Sequence, residues 1–380
     1  MSMPVYLDYN ATTPIAPEVA EAIRPCLAPL FGNPSSPHLY GIEARRAVDA
    51  ARAQVADLLG CAPGEVVFTG GGTEANNMAL KGVVRAADAT KRRRVVTSAV
   101  EHPAILEPLE ALAAEGVEVI VLPVDGHGVV DPDAVRRAVG EPTLLVSVMH
   151  ANNEVGTIQP IAEIAAVAHA AGALMHTDAA QTPGKAPVRV EALGADLVSL
   201  AGHKLYAPKG VGALYVREGV RLAKFMHGAT HEGNRRAGTE NLIGIVGLGA
   251  AAALVARDLE GHIAHLRAMR DRLQAGLLAV DPDARVNGHP TERLANTLSI
   301  GFRDLNASDL LVEMSDRVAA SAGAACHSDQ VTVSAVLQAM GVPFAYARGT
   351  LRFSVGRMTT PDEIDETVDA VAEALRVLRA

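Results

Sequence analysis

Cysteine is scarce in this chain of 380 residues: Cys26, Cys61 and Cys326 form an odd set with no Cys-x-x-Cys pair. A disulfide framework and a structural zinc site are therefore not expected. No His-x-x-x-His or His/Cys cluster stands at ligand spacing, so no metal is expected either. Positive charge is also short, with 34 Lys and Arg against 43 Asp and Glu and a formal net charge of −9. That balance argues against a nucleic-acid footprint or a membrane-surface protein. The basic run Lys91-Arg92-Arg93-Arg94 leads into Val95-Val96 and reads as a solvated loop ahead of a strand. The most apolar helix-like stretch, 243–256, is too short to span a bilayer and is broken by glycines. The opening residues hold neither a charged n-region nor an apolar h-region, so no secretory signal is expected and the protein is placed in the cytoplasm. Internal repeats, low-complexity tracts and long linkers are missing as well.

What the chain has is core-forming material. Hydrophobic residues make up 49% of it, enough for a sizeable core and, at this length, about two domains. Helical patterns alternate with short β-branched runs, which predicts an α/β protein with a mostly parallel sheet of seven strands flanked by helices. Strands are predicted at 65–69, 94–98, 118–123, 144–149, 174–177, 197–200 and 212–216, with helices at 73–86, 104–115, 131–139 and 161–171. Beyond about residue 250 the texture changes. A charge-laced helix at 258–279, strand-like segments at 296–302 and 352–355, and a last helix from 362 predict a smaller α+β domain. The expected division is a large domain over 14–258 and a small one built from 1–13 and 259–380.

Parallel sheets bind ligands at the carboxyl ends of their strands, and the chemically interesting residues fall there. Gly70-Gly71-Gly72-Thr73 joins a strand to a helix, where free N–H groups and a hydroxyl suit a phosphate. The Gly-Lys-Ser/Thr ending of a Walker loop is absent; a plain turn with Thr73 as a cap is the alternative. Asp178 ends a buried-looking run, where an acid needs a cationic partner, such as a pyridinium N–H, or else caps the next segment. His102 reads either as a core histidine or as a ring stacked on a flat cofactor, and His203 carries the same ambiguity. Lys204 follows a strand, between His203 and Tyr206 and in line with Asp178. A lysine so placed suits a Schiff base with pyridoxal phosphate, the acid keeping the pyridine nitrogen protonated. Cys326 stands in Ser-Ala-Gly-Ala-Ala-Cys-His-Ser-Asp, small residues without periodicity, and reads as a loop thiol activated by His327. Arg352 and Arg357 are candidate carboxylate forks, but five apart on a strand they face opposite ways, so one alone faces the site.

Together these segments resemble the cysteine desulfurases of the class V aminotransferase group, pyridoxal-phosphate enzymes of fold type I. The resemblance runs from Tyr6-Leu-Asp-Tyr-Asn-Ala-Thr-Thr-Pro through Phe68-Thr-Gly-Gly-Gly-Thr-Glu-Ala-Asn-Asn, Glu101-His102, His150-Ala-Asn-Asn-Glu-Val-Gly, Asp178-Ala-Ala-Gln and Gly202-His-Lys. It continues through Arg235-Arg-Ala-Gly-Thr-Glu-Asn to Cys326 and Leu351-Arg-Phe-Ser-Val-Gly-Arg, in order over nearly the whole chain. It implies that Lys204 carries the cofactor, His102 stacks on its ring, Asp178 binds the ring nitrogen and Gln181 the ring hydroxyl. Gly72, Thr73 and His203 would hold the phosphate, completed by Thr239 from the second subunit of a homodimer. Asn153 and Arg352 would bind the carboxylate of L-cysteine, and Cys326 would take its sulfur as a persulfide for a sulfur-acceptor protein. Ala201 replaces a serine common in the group, removing one phosphate hydroxyl, and His231 replaces a commoner glutamine. Ala-Ala-Cys-His-Ser-Asp and Gly-Val-Pro-Phe-Ala-Tyr-Ala-Arg are similar to selenocysteine lyases, which makes L-selenocysteine the alternative substrate.

Overall fold

The computed structural model of the chain describes residues 3–87, 93–327 and 330–380, with the side chains of 324–332 outside the description. Its first half opens with strand β1 (Val5–Tyr6) and helices α1 (Pro17–Ile23) and α2 (Leu39–Leu59). Strands β2 (Val66–Thr69), β3 (Arg94–Ser98), β4 (Glu118–Leu122) and β5 (Thr143–Ser147) follow. Then come β6 (Leu174–Asp178), β7 (Leu197–Ala201) and β8 (Gly212–Val216). Between and after them lie α3 (Gly72–Ala86), α4 (Pro103–Ala114), α5 (Pro132–Ala138), α6 (Ile161–Ala170), α7 (Val190–Leu193) and α8 (Leu242–Arg257).

Seven of these strands form one sheet in the order β2-β8-β7-β6-β5-β3-β4. All its pairings are parallel except those of β8, which runs against both β7 and β2. The reason is local. A parallel return needs a crossover of a dozen or more residues, and the 202–211 connection that carries Lys204 is shorter. Successive side chains on each strand face opposite sides, so Val96 and Val146 join one core and Val95 and Leu145 the other. Helices cover both faces. α2 and α8 approach closely because Gly249 has no side chain: a Cβ there would sit 2.6 Å from Ala51 Cα.

The second half adds helix α9 (Leu259–Val280), α10 (Ala307–Glu313), α11 (Ala335–Ala339), α12 (Phe344–Ala347) and α13 (Pro361–Leu378). Its strands are β9 (Arg285–Asn287), β10 (Thr297–Gly301), β11 (Val318–Ala319), β12 (Ser321–Ala322), β13 (Ala324–His327), β14 (Gln330–Val333) and β15 (Thr350–Ser354). An antiparallel sheet of order β12-β15-β10-β9 buries Leu298, Ile300 and Phe353 with apolar residues of α9 and α13. The N-terminal segment ties the two halves together. β1 pairs with β11, Leu7 lies in the second core, and Tyr9 lies in the first. The Cys326 segment departs from the loop expected of it. Its backbone pairs antiparallel with β14, Cys326 opposite Val331, because the β-branched Val331-Thr332-Val333 supplies a strand partner for a run with no pattern of its own. Among the described residues no single helix is long and apolar enough to cross a membrane.

Candidate active site

The strand ends of the large sheet meet at one cavity of about 230 Å³. Gly72, Thr73, His102, Asn153, Asp178, Gln181, His203 and Lys204 all line it. The first two sit at the N-terminus of α3, behind Gly71, whose φ of 151° suits glycine alone. β8 passes so near this turn that a Cβ on Gly212 would lie 2.5 Å from the Leu200 carbonyl oxygen and 2.7 Å from the Gly71 carbonyl carbon. The turn therefore presents backbone N–H donors at a fixed place, and a wider, open cavity of about 730 Å³ adjoins it along Gly70–Glu74.

Asp178 is 6% exposed. Its carboxylate accepts from Asn76 Nδ2 at 2.7 Å and from the Ala180 amide at 2.8 Å. The cap and the cavity-facing acid, alternatives at the level of sequence, are thus both present. Neither neighbour is a cation, and Asn76 Oδ1 is itself buried without a partner. A buried carboxylate held only by neutral donors suits a cationic N–H in the cavity.

Lys204 Nζ donates to the Asn10 carbonyl oxygen at 2.9 Å. Burial pulls its pKa down to about 8, with Arg352 acting in the same direction and Asp178 opposing. A substantial share of this amine is neutral and nucleophilic near pH 8. His102 caps α4: its Nδ1 accepts from the Ala104 amide at 3.0 Å, which leaves the ring proton on Nε2. Burial lowers the basicity of that ring, so it is a neutral flat surface at pH 7. His203, beside Thr12 Oγ1 at 3.1 Å, is pulled down to about 4 by burial and then by Lys204.

The remaining candidates are placed differently. Asn153 lines the cavity, and its carbonyl oxygen accepts from Asn10 Nδ2 and from Arg352 Nη1, each at 3.1 Å. Arg352 stands behind this wall on β15, donating through Nη2 to Asp8 Oδ1 at 2.6 Å and to Ser321 Oγ at 2.9 Å, with Nε unpartnered. Arg357 points elsewhere and pairs with Glu18. Thr239 lines a separate cavity of about 210 Å³ with Gly70, Glu232 and Arg236, away from Lys204 within the one chain. The Cys326 thiol lies outside the described residues.

Three residues to which the sequence reading gave no role belong to the site: Asn10, Asn76 and Lys185. A fourth, Glu101, lies just behind it, 5% exposed, accepting from Ser98 Oγ at 2.6 Å and from the Met149 amide at 2.9 Å. Burial raises its carboxyl to about 8, so it is largely protonated at pH 7. A lone acid next to His102 and a lysine inside Gln-Thr-Pro-Gly-Lys were the available signals.

Known proteins share this fold. The family profile described as Aminotransferase class-V matches residues 5–367. The cysteine desulfurase IscS of Dictyoglomus turgidum is 43% identical over 100% of this chain and 96% of its own. A solved NifS-like protein superposes with a TM-score of 0.93 at 36% identity, covering 99% of this chain and 100% of that one. The structure titled SspA in complex with cysteine gives 0.80 at 34% identity, over 93% of this chain and 99% of the other. The chain belongs to the class-V aminotransferase family, in its cysteine desulfurase branch.

Proposed function

We propose that the protein binds pyridoxal 5'-phosphate and removes sulfur from L-cysteine, giving L-alanine and a persulfide on Cys326. One observation carries this reading. A partly neutral lysine amine and a buried carboxylate without a cationic partner line the same cavity, whose far end is a helix N-terminus. The residues fit the cofactor: Asp178 for the ring N–H, Gly72, Thr73 and His203 for the phosphate, His102 against the ring face and Gln181 toward the ring hydroxyl. Ala201 supplies no hydroxyl there, so the α3 backbone donors, Thr73 and His203 would hold the phosphate. Bound, the cofactor supplies an electron sink for the substrate's Cα.

The chain's own groups do the rest. Asn153 and Arg352 orient the substrate carboxylate, and the Lys204 amine accepts the Cα proton and returns a proton to the product. The Cys326 thiolate attacks the substrate sulfur. The substrate Cβ–S bond breaks, a Cys326 S–S bond forms, and Cβ gains a proton, so that L-cysteine and one thiol become L-alanine and one persulfide. The outer sulfur then leaves to an acceptor protein or a thiol reductant. The reading extends to a cytoplasmic homodimer in which Thr239 reaches the phosphate of the neighbouring subunit. It also divides the chain into a 14–258 domain and a second domain of 1–13 and 259–380, which carries the Cys326 segment.

The test is the purified protein with pyridoxal phosphate and L-cysteine. Alanine and reductant-released sulfide should appear in equal amounts, with one extra sulfur atom mapped by mass spectrometry to the Cys326 peptide. Cys326→Ala should abolish both. Turnover of L-selenocysteine alone, under the same conditions, would reject the reading.

A further inference from the structure

Lys185 is 5% exposed and forms no ion pair among the described residues. It lies behind the cavity, in a turn four residues beyond Gln181. Its Nζ donates to Gln181 Oε1 at 3.0 Å and to Asn10 Oδ1 at 3.3 Å. A buried amine without a counter-ion is costly, and an apolar side chain of similar volume would fill the space more cheaply. Its pKa is held well below that of an ordinary lysine by burial, with the charges of Lys204 and Arg352 acting in the same direction. Lys185 Nζ thus serves as a hydrogen-bond donor to two side-chain oxygens.

Its two acceptors control the site. Gln181 Nε2 donates to the Asn10 carbonyl oxygen at 3.0 Å. If the amide flipped, Gln181 Oε1 would face that carbonyl oxygen, a mismatched contact in a dry place, and Lys185 Nζ would lose one of its two acceptors. The lysine therefore locks the amide with its N–H groups away from Lys185. Asn10, 1% exposed, is the junction. Its carbonyl oxygen takes Lys204 Nζ at 2.9 Å, its Nδ2 reaches the Asn153 carbonyl oxygen and Thr297 Oγ1, and its Oδ1 takes Asn296 Nδ2 as well as Lys185.

We propose that Lys185 is a positioning residue: it fixes the Gln181 amide and Asn10 so that the Lys204 amine and the Gln181 N–H meet the cofactor in one geometry. This rests on the pyridoxal-phosphate reading above. No contact of Lys185 with substrate is implied; it acts through Gln181 and Asn10.

The experiment compares wild type, Lys185→Met, Gln181→Leu and the double variant, each as the full chain loaded with pyridoxal phosphate. Cofactor dissociation constant, visible absorption band, the pH midpoint of that band and Tm are measured. Lys185→Met should keep or raise Tm, because the desolvation cost is gone. It should weaken cofactor binding about tenfold, the scale of one buried hydrogen bond, and move the band's pH midpoint by about half a unit or more. In the Gln181→Leu background the same substitution should change affinity and midpoint clearly less than in wild type, since only the route through Asn10 remains. Lys185→Gln, which keeps a donor, should recover part of the loss and covers the case of a poorly folding Lys185→Met. Unchanged affinity and spectrum, or full additivity with Gln181→Leu, would overturn the proposal. A wild-type protein that binds no cofactor would instead remove the reading on which it rests.

Discussion

Arg352 Nη2 lies 2.6 Å from Asp8 Oδ1, so the guanidinium nearest the cavity already has a carboxylate partner on the N-terminal segment. The pair is mostly buried, at 11% and 20% side-chain exposure, and the role proposed for Arg352 requires a substrate carboxylate to reach the face that Asp8 leaves open. Fork geometry is what a lysine lacks. Arg352→Lys should raise KM for L-cysteine about tenfold or more and lower kcat far less. Steady-state alanine formation over a range of cysteine concentrations checks this, and an unchanged KM would remove Arg352 from substrate binding.

The Lys204 amine is pulled down from 10.5 to about 8 by burial. Only its neutral form attacks an aldehyde, and that form grows as pH rises. In protein stripped of cofactor, the rate of pyridoxal phosphate attachment should therefore climb between about pH 6.5 and 8 and flatten above that. Stopped-flow absorbance reads it directly. Lys204→Ala should lower cysteine turnover about a thousandfold or more.

Glu101 has the opposite displacement, upward from 4.5 to about 8, with burial as the cause. Between those values the folded protein holds a proton that the unfolded chain has released. Stability must fall as pH rises through that window, by at most about 1.4 kcal/mol per pH unit from this group. Glu101→Gln mimics the protonated acid and should flatten the slope. Urea midpoints at several values between pH 6 and 8.5, compared with wild type, test it.

Arg52 and Glu232 form a fork pair at 2.7 and 2.8 Å, with side chains 14% and 3% exposed, and Glu232 also accepts from the Phe68 amide. The pair ties α2 and β2 to the segment that leads to Thr239. Glu232→Ala strands a buried guanidinium and should cost about 3 kcal/mol in chemical denaturation. A loss under about 0.5 kcal/mol would mean that the pair is solvated.

Gly212→Ala asks how tightly β8 holds the Gly71–Gly72 turn. The added methyl group meets backbone of Leu200 and Gly71, neither of which is free to swing aside. A loss of about 1–3 kcal/mol is expected, together with weaker cofactor binding because the Gly71–Gly72 turn must shift. Normal cofactor affinity in a destabilised variant would separate the two effects.

Legibility along the chain followed the density of pattern. The strands at 94–98 and 212–216 match residue for residue, because each holds a short run of β-branched or apolar residues. The short strands β9 and β12 were not read, since so short a run has no period. The segment around Cys326 was read as a loop from its small residues, whereas its backbone pairing comes from strand β14. At the site, the residues at strand ends and at the glycine turn were legible one by one. Asn76 and Lys185 were not: Asp178 stands 102 positions from the first and Asn10 stands 175 from the second.

Local chemistry settled the alternation of strand and helix, the glycine turn that only a backbone with φ of 151° can make, and a lysine and an acid at the ends of neighbouring strands. These depend on side-chain size, β-branching and chain geometry within a few residues. Folding settled everything that depends on distant neighbours. Desolvation moves the Lys204 amine to about 8, Asn10 becomes the shared acceptor of Lys204 and Gln181, and Arg352 is claimed by Asp8. Burial and partner choice are set by which segments pack together, and that is a property of the assembled chain.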